Sequence, residues 1–240
     1  ATKKSLDNLK ASYAALEKDS NDALEANINK NRQLLAELEA KQKALAAEQD
    51  RLNKLKKDLE ASSARLAELE KMMADKDAAM KKLKETLSKS LKAFEGKGLT
   101  VENRNGKVYV SMENKLLFES GSWTVGTEGK KAVKLVGDVL GQNPDISVLI
   151  EGHTDNDKIT GTIGGGVENN WDLSTKRATA IVNILSANAK VKKENLTAAG
   201  RGEYAPLMSN ETAEGKAKNR RIEIILTPKL DEISKLMNEL

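Results

Sequence analysis

Apolar residues recur every seven positions from Leu38 through Leu45, Leu52, Leu59, Leu66, Met73, Met80 and Leu87 to Phe94, without a miss. The stretches between them are rich in charge. A heptad sustained this long, flanked by Lys and Glu, predicts a helix with one apolar seam, the pattern of a left-handed coiled coil. A second seam three residues further on holds Leu55, Leu69 and Leu83, but polar Ser62, Lys76 and Ser90 alternate with them, so the stripe is narrow. Upstream, Leu6, Leu9, Tyr13 and Leu16 keep three-and-four spacing. The register slips near residues 20–24 before Ile28, Leu35 and Leu38 resume it, a stutter that locally unwinds a supercoil. At 1.5 Å per residue a continuous helix of this length reaches roughly 140 Å. Two structures satisfy the stripe. One is a rod that self-associates as a homo-oligomer, dimer or trimer; the other is a single helix laced by i,i+4 charge pairs or folded back on itself. Either way the segment is a spacer or an assembly device, because these heptads carry no chemistry.

The pattern changes at Gly96. Asn105-Gly106 lies between two runs, 99–102 and 107–112, and is the strongest short hairpin signal. A short run covers 115–118. A helix is predicted from Thr127, with Ala132, Leu135, Val136, Val139 and Leu140 on one face and Gly141 and Pro144 at its end. Residues 146–150 read as a buried strand. A second helix covers about 172–186, with Ala178, Ile181, Val182 and Leu185 inward. Beyond it come a short strand at 196–200, a brief helix at 211–218 and a strand at 221–227 that alternates Ile222, Ile224 and Leu226. Strands interleaved with helices behind an opening hairpin predict an α+β domain, a βαβαβ sandwich with helices packed on one mixed sheet. Leu230, Ile233, Leu236, Met237 and Leu240 give the tail an amphipathic helix that must dock on its own domain or on a sister chain. The expected organisation is a coiled-coil rod over 1–95, a compact domain over 96–228 and a terminal helix over 229–240.

Composition sharpens that division. All 16 glycines and all 3 prolines lie at or after Gly96, and Tyr13 and Phe94 are the only aromatics before it, so the first segment has little from which to build a globular core. The 40 basic and 36 acidic residues are interspersed in both halves. A nucleic-acid partner is not expected, because that footprint is a concentrated basic patch. With no cysteine there is no disulfide and no thiolate metal site. The single histidine, His153, has no partners for a zinc site or a catalytic triad and is read as a strand-end packing residue. No metal and no cofactor are expected. No apolar run approaches the roughly 20 residues that span a bilayer, and no signal peptide is present. The chain opens at Ala1 rather than Met, so the expectation is a processed or truncated form whose membrane anchor is missing.

The candidate chemistry lies at 152–155 and 170–178. Gly152-His153-Thr154-Asp155 ends an apolar run, and Asn170-Trp171-Asp172-Leu173-Ser174-Thr175-Lys176-Arg177-Ala178 opens the second helix. Together they offer one carboxylate and one guanidinium on opposite lips of a cleft, the chemistry that grips a zwitterionic amino-acid head group. Each such charge-assisted hydrogen bond is worth about 1.5–3 kcal/mol when well formed, and the planar Arg fork selects for carboxylate. Free N–H groups at the start of the helix would favour an anion at the same place. The plainer account of Asp155 and Arg177 is a salt bridge holding loop to helix, one able to open for a ligand. Residues 156–169 form a long insertion at the cleft. Its Gly164-Gly165-Gly166 run is followed by no Lys-Ser/Thr pair, so it is read as a surface loop and not as a phosphate cradle. Trp171 either stacks on ligand or caps the core, and Arg220 and Arg221 either add a ligand-side charge or pair at a strand edge with Glu223. Trp123 has no account in the sequence.

These blocks occur in order with Phe118-Glu119-Ser120-Gly121-Ser122 before them and Gly215 and Asn219-Arg220-Arg221-Ile222-Glu223 after them. Over residues 106–227 the chain resembles the OmpA-like C-terminal peptidoglycan-binding domains, a family shared with Pal lipoproteins and MotB stator proteins. The resemblance implies non-covalent binding of the peptide stem of peptidoglycan, mainly through meso-diaminopimelate. By matching positions, Asp155 takes the ligand ammonium and Arg177 its carboxylate, while Asn170, Leu173, Thr154, Phe118, Gly121 and Ser122 line the pocket. The insertion at 156–169 is longer than many members carry, which puts the preferred ligand in question. What is implied is a binding protein and not an enzyme, in the periplasm and associated with the outer membrane. Its partners would be peptidoglycan and a membrane, the latter through the missing anchor. A lipidated cysteine there would make an outer-membrane lipoprotein, and a transmembrane helix a MotB-like stator component. Two rivals remain. One is a structural scaffold of the envelope without wall binding; the other is a cell-wall hydrolase with Asp155 as base, for which a second placed acid or a metal is lacking.

Overall fold

Asn105 and Gly106 both adopt positive φ, 52° and 71°, as a two-residue type I′ hairpin turn requires. They join β1 (Leu99–Arg104) to β2 (Lys107–Glu113) in an antiparallel pair. The computed structural model describes residues 2–119, 122–159, 164–230, 233–234 and 237. It divides into two compact units, Ala1–Leu66 and Ala67–Leu240.

In the first unit every described residue belongs to α1 (Thr2–Ser90) and every one is exposed. Ala, Leu, Lys and Glu dominate, all strong helix formers. Leu38, Leu45, Leu52, Leu59 and Leu66 each keep more than half of their surface in solvent. The heptad seam is formed as a stripe with its apolar side chains uncovered.

In the second unit the same heptad turns inward. Met80, Leu83 and Leu87 near the end of α1 are buried, as are Leu91 and Phe94 around the 3₁₀ turn Lys92–Phe94. They belong to one apolar cluster with Leu99, Val110, Met112, Val136, Ile150 and Ile224. The sequence boundary at residue 95 lies just before the first glycine, Gly96, whereas packing of the compact domain begins about four turns earlier. A regular apolar stripe says that its residues will be covered, but not by what.

The sheet is mixed, in the order β1-β2-β5-β3-β4. Its other strands are β3 (Ile146–His153), β4 (Leu196–Gly202) and β5 (Arg221–Pro228). β5 runs antiparallel to both β2 and β3, while β3 and β4 are parallel and are joined through α4 (Asn170–Ser186). Between β2 and β3 lie α2 (Asn114–Leu117) and α3 (Thr127–Leu140), and α5 (Ala213–Asn219) precedes β5. Alternation sends Val108, Val110 and Met112, Ile146, Val148 and Ile150, and Ile222, Ile224 and Leu226 to one buried face. There they cluster with Ala132, Val133 and Val136 of α3 and Ala178, Ile181 and Leu185 of α4. This is the α+β arrangement with helices on one mixed sheet. The opposite face carries Tyr109, Glu151, His153, Arg221 and Glu223.

Two glycines set how closely α4 lies on the sheet. Gly152 and Gly200 are partners across β3 and β4. A Cβ on Gly152 would sit 2.1 Å from the Ser174 carbonyl oxygen, and one on Gly200 would sit 2.1 Å from Thr175 Oγ1. The first turns of α4 therefore rest on bare backbone, which brings Leu173 and Arg177 beside the end of β3. In the tail, the Lys229 N–H donates to Asp145 O (3.0 Å) and the Ser234 N–H to Leu230 O (2.8 Å). Ile233 is buried, whereas Leu230 and Met237 are exposed. Leu236 and Leu240 of the expected tail helix lie outside the described residues.

Candidate functional site

Beyond His153 the chain leaves the sheet, and Thr154 and Asp155 enter a cleft of about 790 Å³. On α4, Asn170, Leu173 and Arg177 are spaced by three and four residues, so one helix face presents all three. Phe118 enters from the segment after α2, and Ala217 and Arg220 from α5 and its exit. Six residues expected from the sequence thus line one cleft: Phe118, Thr154, Asp155, Asn170, Leu173 and Arg177. Ser122 takes part through its backbone, its carbonyl accepting from Arg177 Nε at 3.0 Å. Gly121 lies outside the described residues. Of the insertion, Asp157, Lys158 and Ile159 also line the cleft, while 160–163 lie outside the described residues.

The ion pairing differs from the simpler expectation. Asp155, only 6% exposed, pairs through Oδ2 with Arg220 Nη1 and not with Arg177. Its Oδ1 accepts a long 3.3 Å hydrogen bond from the Asp157 N–H. Asp157 in turn pairs with Lys216 at 2.6 Å. Arg220 and Arg221 diverge because the chain becomes extended there, with φ −73° and ψ 90° at Arg220, and successive extended residues face opposite ways. Arg220 turns to the cleft. Arg221 turns to the far face of the sheet and bonds Glu223 at 2.8 Å, the strand-edge pairing expected of it.

Arg177 is 4% exposed. Its guanidinium lies 5.3 Å from the Phe118 ring centroid, and among the described residues no carboxylate pairs with it. Burial pulls its pKa down to about 10; the Asp155 charge opposes that shift and the Arg220 charge adds to it. A buried guanidinium in this state is short of an anion. Asn170 acts as a latch, its Nδ2 donating to Asp155 O (3.3 Å), Asp157 O (3.1 Å) and Glu203 Oε2 (2.7 Å). Thr154 is fixed by its N–H, which donates to Gly202 O at 2.9 Å, while its buried Oγ1 has no hydrogen-bond partner among the described residues.

The expected anion site at the start of α4 is taken. Asn169 Oδ1 caps the N–H groups of Trp171 (2.9 Å) and Asp172 (3.1 Å), and Asp172 Oδ2 accepts from the Glu168 N–H at 3.0 Å. This reciprocal cap satisfies the donors a ligand would need there. Trp171 does not cap the core. It is 49% exposed and stacks on Tyr204, with centroids 5.2 Å apart. Trp123 lies by the insertion, with Lys176 Nζ 5.5 Å from its ring centroid. His153 is 2% exposed at the end of β3, and burial takes its pKa down to about 3, reinforced by the charges of Arg221 and Arg201.

An α+β domain with helices on one face of a five-stranded mixed sheet, and a charged cleft where β3 meets α4, is the class defined by this geometry. Residues 117–220 match the model of the OmpA family, and that part of the chain is an OmpA-family domain. Motility protein B of Bacillus subtilis is 36% identical over 120 residues, which are 50% of this chain and 45% of the relative. The peptidoglycan-binding protein ArfA of Mycobacterium tuberculosis is 41% identical over 91 residues, 38% of this chain and 26% of the relative. The chain therefore spans about half the length, or less, of these curated relatives. Among solved structures, the cell wall anchor of the T6SS from Pseudomonas aeruginosa aligns with a TM-score of 0.53 at 30% identity, covering 60% of this chain and 97% of that one.

Proposed function

We propose that the cleft binds the peptide stem of peptidoglycan non-covalently at meso-diaminopimelate, and that the chain tethers a membrane to the cell wall through its coiled-coil spacer. The observation that carries this is Arg177: buried, without a carboxylate partner among the described residues, its pKa lowered to about 10, and across a cleft from Asp155. A ligand carboxylate on the Arg177 fork supplies the missing anion. The ligand ammonium goes to Asp155, whose carboxylate has lone pairs to spare beyond the Arg220 pair, since an ionised carboxylate offers about four acceptor sites. Asn170 holds the Asp155 backbone in place, and Leu173 and Phe118 supply apolar wall. Ser122, through its carbonyl on Arg177, belongs to the same lip. Binding needs no catalytic group, and the protein acts as a binder and not as an enzyme.

The names of ArfA and of the T6SS cell wall anchor support this reading, and so does the exposed heptad stripe, which suits a rod of two or three chains. Several heads on one rod would raise avidity without a tighter individual site. The protein then works in the periplasm, held at the outer membrane by an anchor upstream. Its likeness to Motility protein B favours a second reading in which a transmembrane helix upstream makes it a stator-like component. The test is retention on purified sacculi of wild type, Asp155→Ala and Arg177→Ala, with free diaminopimelate as competitor. Wild type should be retained and competed off, both variants should wash through, and no muropeptides should be released. Equal retention of all three sinks the site, and failure of wild type itself to be retained leaves a scaffold without wall binding.

A further inference from the structure

The face of the sheet turned away from the helices carries a second cluster, remote in chemistry from the cleft. Glu151 and His153 stand two residues apart on β3, so the strand period puts both on that face. Glu223 of β5 is the direct register partner of Glu151. One ligand atom from each of the three lies within 4.8 Å of the others, and His153 Nε2 is 3.5 Å from Glu151 Oε2. Two ligands held about 2.1 Å from a tetrahedral ion are about 3.4 Å apart, so this separation is already that of a chelate.

An independent observation concerns His153 itself. It is 2% exposed, and neither ring nitrogen has a hydrogen-bond partner among the described residues. Buried imidazoles ordinarily satisfy at least one nitrogen; this one aims its ring between two carboxylates. Those carboxylates are directly opposite like charges on neighbouring strands, an unfavourable cross-strand pair. Among the described residues each is met by one arginine, Glu223 by Arg221 Nε at 2.8 Å and Glu151 by Arg201 Nε at 3.8 Å. A cavity of about 460 Å³ opens over all three side chains.

We propose that Glu151, His153 and Glu223 bind one divalent transition-metal ion of the zinc class. Imidazole with two carboxylates suits zinc and excludes magnesium and calcium, which take oxygen ligands. Glu223 can ligate through Oε2 while Oε1 keeps Arg221. The two arginines weaken the site, so its affinity is that of a loaded-on-demand site and not of a permanent structural zinc. The ion would clip β3 to β5 on the far side of the sheet from the cleft, independent of any wall ligand.

The test uses the full chain after chelator treatment and dialysis, titrated with Zn²⁺ by calorimetry and with Co²⁺ by visible absorption. Wild type should take up one ion per chain and show the d–d bands of a low-coordinate site. Glu151→Gln and His153→Gln should each weaken binding at least tenfold, with far-UV circular dichroism unchanged. If His153→Gln fails to fold, Glu151→Gln at the rim of the cavity decides alone. No saturable uptake by folded wild type, or Glu151→Gln binding as tightly as wild type, overturns the site.

Discussion

Arg177 and Arg220 line the same cleft, yet replacing them should have unlike consequences. Arg177 is held with its pKa near 10, below the ordinary guanidinium range. At neutral pH that depression is a cost of about 3 kcal/mol to the folded state, at 1.36 kcal/mol per unit. The sign follows from linkage: above pH 10 the folded state binds fewer protons than the unfolded one, so the cost is fully present below 10 and relieved only above it. Arg177→Met removes that cost. It also forfeits the charged hydrogen bond to Ser122 O, about 1.5–3 kcal/mol, and the stacking on Phe118, roughly 0.5–1 kcal/mol. The balance is within about 1 kcal/mol of wild type. Arg220→Met instead strips Asp155 of its cation. Breaking a buried pair costs about 3–5 kcal/mol; because the Arg220 side chain is 37% exposed, a discounted loss of about 2–3 kcal/mol is expected. Urea unfolding followed by tryptophan fluorescence reads only the compact domain, since Trp123 and Trp171 are the only tryptophans. The Arg220→Met midpoint should fall by about 5 °C or more in the matching thermal scan, with Arg177→Met near wild type yet unable to hold sacculi. Equal destabilisation by both would refute the view that Arg177 lacks an anion.

Two further outcomes follow from burial. His153 is buried neutral with a pKa near 3 against 6.5, so metal-free wild type should lose stability as pH falls through that window, by at most about 5 kcal/mol. His153→Gln should flatten the slope of urea midpoint against pH, and an unchanged slope would show that another group titrates. Along α1, the proposed self-associating rod predicts that Leu45→Glu with Leu52→Glu will sediment as a monomer while leaving the domain's melting unchanged. Leu87→Ala should do the reverse, costing about 2–5 kcal/mol of domain stability; loss of the oligomer in that variant would place the seam wrongly.

Much of the fold was legible because its signals are local. Asn105-Gly106 forces its turn whatever surrounds it, and the 3.6-residue period of Ala178, Ile181 and Leu185 fixes the inner face of α4. The cleft was legible for the residues that one element presents together, Asn170, Leu173 and Arg177, and for Thr154 and Asp155 at a strand end. Arg220 was not, because which of two adjacent arginines faces the cleft depends on the residue at which α5 becomes extended, and such boundaries are uncertain by one or two positions from sequence. The Asn169 cap could have been read from Asn-x-x-Asp at 169–172, a pattern that closes the helix end to an anion. Met80 and Leu87 could not be separated from Leu59 and Leu66, since one heptad serves two different coverings. Glu151 escaped notice because its partner Glu223 is 72 residues away and only strand order joins them.

The distribution of charge in the cleft is itself an argument. A fold tuned only for stability would give Asp155 to the more deeply buried of the two arginines and leave the other to water. This one does the opposite: among the described residues the half-exposed Arg220 has the carboxylate and the buried Arg177 goes without. Proteins break a local rule of this kind mainly at functional sites. A carboxylate arriving from outside would restore the Arg177 pKa toward its ordinary value, so part of the binding energy is the cost already stored in the empty site. In the proposed binding mode, specificity has the same source. A neutral ligand of the same shape leaves that cost in place, whereas a ligand with both a carboxylate and an ammonium relieves it and neutralises Asp155 without displacing Arg220.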